Sequence, residues 1–102
     1  MTLPLAKMRV TAKELRTKFN EGKYLDRAKK GEFSPHIGYE GHPSPPKSGQ
    51  VFCTRSQFIS YYDAEHNKVF SVRQYLCPDG SIGGSGTPDP KELRIDDTIF
   101  FV

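Results

Sequence analysis

Apolar positions follow two different periods in the two halves of the chain. In residues 10–31 they recur three and four positions apart with one shift of phase, which is typical of a helix face. In residues 50–76 they alternate with polar positions and include many aromatic and β-branched residues, which is typical of strands. Residues 93–102 predict a last turn and strand. We therefore expect an α+β fold: one N-terminal helix, which residues 20–22 can break, packed on a three- to five-stranded antiparallel sheet.

Specific residues mark both ends of the helix. Thr11 as N-cap and Glu14 three positions later form a capping box, and Val10 and Leu15 stand at the positions of a hydrophobic staple. Gly31 ends the helical pattern. The apolar stripe between these ends comprises Leu15, Phe19, Leu25 and Ala28.

Residues 69–76 predict a strand with two unlike faces. Alternation places one set of side chains toward the core and the helix, and the other toward solvent or a ligand. The first set is Phe70, Val72 and Leu76, and the second is Ser71, Arg73 and Tyr75. Polar residues 63–68 predict a hairpin loop before this strand, and Pro78-Asp79-Gly80 predicts a tight turn after it.

Residues 32–49 interrupt the periodic pattern. Four prolines and several glycines and serines fall in this segment, so we expect an irregular arm without a regular element. Such an arm either folds over a site or serves as a connector. With 102 residues in total, we expect residues 1–102 to form a single domain.

Charge permits an anionic partner without requiring one. The net charge is +3, and nine of the fifteen basic residues lie in residues 7–30. Most of this excess falls on the polar face of the predicted helix, where it is either a solvated surface or a polyanion-binding surface. The aromatic share of 12% belongs mainly to the predicted core and strands.

The cysteines and the N-terminal residues indicate a cytoplasmic protein. Cys53 and Cys77 lie in or beside predicted strands, and we expect buried free thiols, although a disulfide forms if the two strands are neighbours. The apolar residues 3–6 are too few for a secretory signal, and no segment approaches a membrane span. Histidines, cysteines and acidic residues show no paired spacing of the zinc kind, so we expect neither a metal nor a cofactor.

Cations and aromatics on the predicted strands point to chemistry on a phosphodiester. Metal-independent RNA cleavage needs a base for the 2′-hydroxyl proton, a cation for the phosphate and a proton donor for the leaving oxygen. Arg73 and Tyr75 share a strand face by their two-residue spacing, and a partner strand can bring Arg55 beside them. We predict Arg73 as a phosphate contact, and His66 and Tyr75 as acid–base residues. The alternative is an ordinary exposed sheet face.

The glycine-rich residues 81–86 offer backbone N–H groups to an anion. Gly83 and Gly84 are the predicted binding positions of such a nest. The segment lacks the Lys-Ser/Thr ending of a P-loop and the spacing of a dinucleotide-binding fingerprint, so a flexible connection is the alternative.

Residues 87–91, Thr-Pro-Asp-Pro-Lys, follow the glycines. Their two prolines hold Asp89 and Lys91 at set positions. Lys91 is a predicted phosphate contact, and Asp89 caps the following turn or orients Arg73. The alternative is a rigid entry into the last strands.

Three resemblances accompany these patterns. The segment RSQFISYYDAEHNKVFSVRQYLCPDGSIGGSGTPDPKEL resembles a stretch of short uncharacterised bacterial and phage proteins, which carry no function to transfer. The order of helix first and antiparallel sheet after is similar to RelE-like and barnase-like ribonuclease toxins, which implies ribonuclease activity. The segment VTAKELRTKFNEGKYLDRAKKGE resembles the first helix of Phd/YefM-type antitoxins, although residues 33–49 replace the hairpin those proteins place next.

The leading prediction is a small RNA-binding domain that uses its sheet and loop face, with metal-independent ribonuclease activity as the sharper form. Arg55, Arg73, Lys91, Gly83 and Gly84 are its predicted nucleic-acid contacts. A non-catalytic protein-interaction module is the first alternative, with an interface of tyrosines: Tyr39, Tyr61, Tyr62 and Tyr75. A DNA-binding antitoxin is the second alternative, and it requires a dimer and contacts from the helix in residues 13–30.

Overall fold

The computed structural model describes residues 5–41, 55–83 and 87–102. These residues form two helices and a single sheet, whose strands come from both before and after the helices in the chain. The helices are α1 (Ala12–Glu21) and α2 (Tyr24–Lys29). The strands are β1 (Ala6–Arg9), β2 (Ser34–Gly41), β3 (Arg55–Tyr62), β4 (Lys68–Leu76), β5 (Asp89–Ile95) and β6 (Thr98–Phe101).

The sheet has the strand order β1-β6-β5-β4-β3-β2, and all its neighbours are antiparallel except β1 and β6. The α+β class is therefore confirmed, whereas the prediction of three to five purely antiparallel strands is wrong. The described residues contain six strands, and the parallel pair joins the two ends of the chain. Strand β1 has only four residues, all exposed and half of them cationic, so its sequence carries no strand signal.

The helix begins and breaks where the sequence predicts. The Thr11 hydroxyl accepts a hydrogen bond from the N–H of Glu14 at 3.1 Å and donates to the carboxylate of Glu14 at 3.1 Å. Helix α1 ends at Gly22, and Lys23 then adopts left-handed backbone angles with φ 54°. Gly31, with φ 86°, turns the chain away from α2. The predicted helix is therefore two helices, broken within one residue of the predicted position.

Both helices cover one side of the sheet, and Phe70 lies at the centre of the contact. Its ring is 1% exposed and lies 4.6–5.8 Å from four other aromatic rings, those of Phe19, Tyr24, Phe33 and Tyr61. The other buried apolar residues are Leu15, Ile59, Val72 and Leu93. Edge-to-face and offset aromatic pairs of this kind add to the free energy gained by burial. The apolar stripe predicted from helical spacing is confirmed: Leu15 and Phe19 are buried, and Leu25 and Ala28 pack against them.

Strand β2 corrects the prediction of an irregular arm at residues 32–49. Residues 34–41 of that segment form a strand paired with β3, while residues 42–49 lie outside the described residues. Pro35 is tolerated because β2 is the edge strand of the sheet that the described residues form, where one row of N–H groups has no partner among those strands. The register shifts between Ile37 and Tyr39, so Gly38 stands at a bulge that interrupts the regular pairing. The strand propensities of its residues alone do not predict β2.

Strands β3 and β4 form the predicted hairpin, with a loop over residues 63–67. The Asp63 carboxylate accepts hydrogen bonds from the N–H groups of Glu65 and Asn67, both at 2.9 Å. These backbone bonds, the Asn67 bond foremost, lower the pKa of Asp63 although desolvation opposes them. After β4, the N–H of Gly80 bonds the carbonyl of Cys77 at 2.9 Å, and Gly80 has φ 88°. The predicted turn at Pro78-Asp79-Gly80 is confirmed.

Candidate nucleic-acid interface

Strand alternation and the helices divide the sheet into two unlike faces. The helix face carries Ile59, Phe70, Val72 and Leu93, and the open face carries Phe58, Ser71, Glu92 and Phe101. The predicted division of β4 is confirmed for Phe70 and Val72 toward the core, and for Arg73 toward the other side. Ser71 differs from expectation because it is fully buried. No helix among the described residues packs on the open face.

Cationic side chains from three strands, β1, β4 and β5, meet on the open face. The Arg9 guanidinium lies over the Phe101 ring at 5.2 Å, and Lys7 lies in a shallow depression with Phe58 and Phe101. A neighbouring depression brings Arg73 and Lys91 beside Phe58. In the described strands the cations of this face are Lys7, Arg9, Lys68, Arg73, Lys91 and Arg94. Phe58 is half-buried.

Glu92 is the acidic side chain at the middle of the open face. Partial burial alone would raise the pKa of Glu92, but a hydrogen bond from Lys68 at 2.9 Å, another from Ser71 at 3.2 Å and the charge of Lys7 together lower it. Glu92 is therefore ionised at neutral pH and neutralises part of the charge around Lys68. Arg73 has no ion pair within the described residues, and its closest polar contact is the Ser56 hydroxyl at 3.5 Å.

A step between β4 and β5 opens a cleft at one end of the sheet. Strand β5 begins at Asp89, opposite Arg73, so β4 continues past it to Leu76. A cavity of about 580 Å³ lies at this step, between the sheet and α1. We call this cavity the cleft, and its charged and polar lining includes Arg16, Arg73, Tyr75, Gly83, Asp89 and Lys91.

Among the residues that the structure describes, three cations and a single carboxylate line the cleft. The carboxylate of Asp89 lies 2.9 Å from Nζ of Lys91 and 4.0 Å from Nε of Arg16. The side chains of Arg16 and Lys91 are 56% and 32% exposed, so both can reorient toward a ligand. Positive charge therefore exceeds negative charge in a concave site, which concentrates anions there.

The cleft brings together four residues predicted from the sequence: Arg73, Tyr75, Gly83 and Lys91. It also contains Arg16, one of the cations of the predicted helix face, which is either a solvated surface or a polyanion-binding surface by sequence. No local pattern marks Arg16, because only the packing of α1 on β5 places it beside Asp89. Asp89 itself bonds Lys91 rather than Arg73, although it lies opposite Arg73 in the register.

Arg55 does not join this group. The register places Phe58 opposite Arg73 and Ser56 opposite Tyr75, so alternation turns Arg55 to the other side of the sheet. There the Arg55 guanidinium bonds the carboxylate of Glu40 at 2.8 Å. The expectation that a partner strand brings Arg55 beside Arg73 is wrong.

His66 is also separate from the cleft. It lies in the β3–β4 loop with φ 65°, and its N–H bonds the carbonyl of Asp63 at 3.1 Å. From Lys68, where β4 begins, to Arg73 the strand is about 17 Å long, at ~3.3 Å per residue. His66 lines a different cavity, next to Lys68 and Arg94. The structure therefore does not bring His66 together with Arg73 and Tyr75.

The predicted glycine nest is described only in part. The N–H of Gly83 donates to the carbonyl of Tyr75 at 2.8 Å, and Ile82 bridges to Leu76. Gly83 thus uses its N–H to extend the sheet and not to offer it to an anion. Gly84 lies outside the described residues.

Cys77 is a partly buried free thiol, and Cys53 lies outside the described residues. Within residues 5–41, 55–83 and 87–102, no group of three or more His, Cys, Asp or Glu side chains is arranged to hold a metal ion. Neither α1 nor α2 has the length and apolar character needed to cross a membrane.

The chain matches none of the protein-family models, curated proteins or solved structures with which it was compared. The resemblances to phage proteins, ribonuclease toxins and antitoxins therefore remain predictions.

Proposed function

We propose that this protein binds single-stranded RNA on the open face of its sheet. The observation that carries the proposal is the strand register, which places six cations and two phenylalanines on the one face that no described helix covers. Backbone phosphates supply most of the affinity of nucleic-acid complexes, and exposed aromatic rings supply stacking platforms for bases. The open face has cations that can bind phosphates next to aromatic rings that can stack on bases.

Arg73, Lys91 and Phe58 form the centre of the proposed interface. Arg73 is exposed and has no ion pair in the described part of the chain, so binding a phosphate requires no ion pair to break. Lys91 already pairs with Asp89, and a phosphate competes with that carboxylate for the ammonium. Phe58 lies opposite Arg73 on the neighbouring strand and lines two depressions of the face, where a base can stack.

RNA cleavage is the sharper form of this proposal, and its acid–base residues differ from those predicted. With His66 at the other end of β4, the titratable groups that line the cleft beside the cations Arg16, Arg73 and Lys91 are Tyr75 and Asp89. We accordingly propose binding as the function, in the cytoplasm, and treat metal-independent cleavage as an activity that the same experiment detects.

The test is a titration of a labelled single-stranded RNA of about ten nucleotides, in EDTA, at several salt concentrations. We expect binding whose affinity falls steeply with salt, and Arg73→Ala should reduce the slope of log K against log salt by about 0.7. Arg55→Ala is the matched control, because it removes the same side chain from the neighbouring strand on the opposite face. It should leave both affinity and slope unchanged.

Three outcomes contradict the proposal or its details. Equal losses in the Arg55 and Arg73 variants would place the interface away from the open face. Absence of retardation at low salt would refute RNA binding and favour the protein-interaction alternative, in which tyrosines such as Tyr62 and Tyr75 contact a partner. A preference for duplex DNA, lost on mutation of Lys13, would favour the antitoxin alternative.

A further inference from the structure

The cleft continues into a second cavity that is mostly apolar. This cavity has a volume of about 340 Å³, and Leu25, Gln74, Thr87 and Pro88 line both it and the cationic cavity. The ring of Tyr61, which stacks on Phe70, also lines this cavity. One groove thus has a cationic half toward β5 and an apolar half toward α2.

Gln74 lines both halves of the groove. Its Nε2 donates to Oε1 of Gln57 at 2.8 Å, and Gln57 is only 5% exposed, so this bond fixes the amide of Gln74. In the described residues nothing donates to Oε1 of Gln74. Side-chain amides in such positions hydrogen-bond the edges of nucleobases.

The geometry points to a site for one nucleoside monophosphate. We propose that its phosphate contacts Arg16, Arg73 and Lys91, and that its base lies in the apolar half between Leu25 and Pro88. The two cavities have the size of ordinary small-ligand sites, which combine apolar walls with a few fixed polar groups. The ligand is either a free nucleotide or the 5′-phosphorylated end of a strand.

This site shares Arg73 and Lys91 with the proposed RNA-binding face but does not depend on it. Arg16 and Gln74 line the cleft and none of the depressions on the open face. Because Arg73 and Lys91 line both, a strand on the open face can place its phosphorylated end in the cleft. Variants of Arg16 therefore test the nucleotide site separately.

The experiment is a titration of the isotope-labelled full chain with AMP, and separately with inorganic phosphate, followed by amide NMR and calorimetry. We expect AMP to shift the amide signals of the cleft residues and to bind at least tenfold more tightly than inorganic phosphate. Arg16→Ala should weaken AMP binding about tenfold. Lys13→Ala, which removes a cation from the same helix outside the cleft lining, should have no effect.

Two RNA oligomers, with and without a 5′-phosphate, identify the source of the nucleotide. Tighter binding of the phosphorylated oligomer, lost in Arg16→Ala, supports a strand end. Equal binding of the two oligomers together with AMP binding supports a free nucleotide. Equal affinities for AMP and inorganic phosphate would overturn the nucleotide assignment, as would the absence of AMP-induced shifts. RNA binding without any AMP binding would overturn this inference and leave the proposed function intact.

Discussion

Lys91 Nζ lies 2.9 Å from the carboxylate of Asp89, two residues earlier on the same strand. This pair places the single carboxylate of the cleft lining among its three cations. Asp89 holds Lys91 in place before a ligand arrives, but its negative charge opposes any anionic ligand. The affinity of the cleft for phosphate is thus set by a competition between Asp89 and the ligand.

Replacing Asp89 by asparagine should therefore strengthen RNA binding. The amide keeps a hydrogen-bond acceptor for Lys91 but removes the repulsion of a nearby phosphate, which amounts to ~1 kcal/mol or about fivefold in affinity. The measurement is fluorescence anisotropy with labelled RNA at low salt. Asp97→Asn, which makes the same change at the exposed β5–β6 turn, should change little. Weaker binding of the Asp89 variant would instead show that the carboxylate mainly positions Lys91.

Phe58 is expected to stack against a base. Phe58→Ala should weaken RNA binding by about 1–3 kcal/mol, the range measured for base–aromatic stacking, whereas the salt dependence should stay the same because no phosphate contact is lost. Phe58→Leu keeps apolar volume but removes the ring and should lose a similar amount. Ile37→Ala serves as the control, since Ile37 is 49% exposed on β2 and faces away from Phe58. Equal affinity of the leucine variant and the wild type would exclude stacking.

The N-cap of α1 is expected to contribute to stability. Thr11→Ala removes the acceptor of the Glu14 N–H and should lower the free energy of unfolding by about 1 kcal/mol. Thr17→Ala is the matched control, because the hydroxyl of Thr17 bonds only the Lys13 carbonyl one turn earlier and alanine favours the helix. Chemical unfolding followed by circular dichroism measures the free energy of unfolding of both variants. A loss in the Thr17 variant as large as that in Thr11→Ala would contradict the capping role.

Glu92 should make stability depend on acid pH. Its pKa is lower in the folded protein than its ordinary value of 4.5, so its contribution is present above that value and is lost as the pH falls through the folded pKa. The side chain is 34% exposed, so we expect Glu92→Gln to lower the free energy of unfolding by only about 0.5 kcal/mol at pH 7.

This difference between the wild type and Glu92→Gln should disappear once the pH has fallen below the lowered pKa of the folded Glu92, where both side chains are neutral. Unfolding of both proteins in denaturant at several pH values measures this difference in the free energy of unfolding. Glu65→Gln changes an exposed carboxyl of the β3–β4 loop that has no ion pair in the described part of the chain, and it should show no such trend. A difference that persists at low pH would show that the shape of the Glu92 side chain, and not its charge, contributes to stability.

Half of the candidate site could be predicted from strand periodicity. Arg73 and Tyr75 lie two residues apart on one strand, so their shared location follows from the alternation of side chains. Arg55 was placed wrongly because its location depends on the register of β3 against β4. The distance of His66 from Arg73 could not be predicted, because it depends on the register and length of the same hairpin. Arg16 was missed for the same kind of reason, since its position beside Asp89 results from the packing of α1 on β5.

The sequence by itself determined the local elements of this protein. The capping box, the break near Gly22, the turn before Gly80 and the alternation of β4 each depend on neighbouring residues, whose conformational preferences act over a few positions. Only the tertiary structure decided that β1 pairs with β6 from the other end of the chain, and that β2 forms a strand despite its proline. Those pairings depend on backbone hydrogen bonds between segments that are distant in the sequence. Backbone groups form such bonds largely independently of the side chains, so the sequence does not mark them. The same long-range packing assembled the cleft.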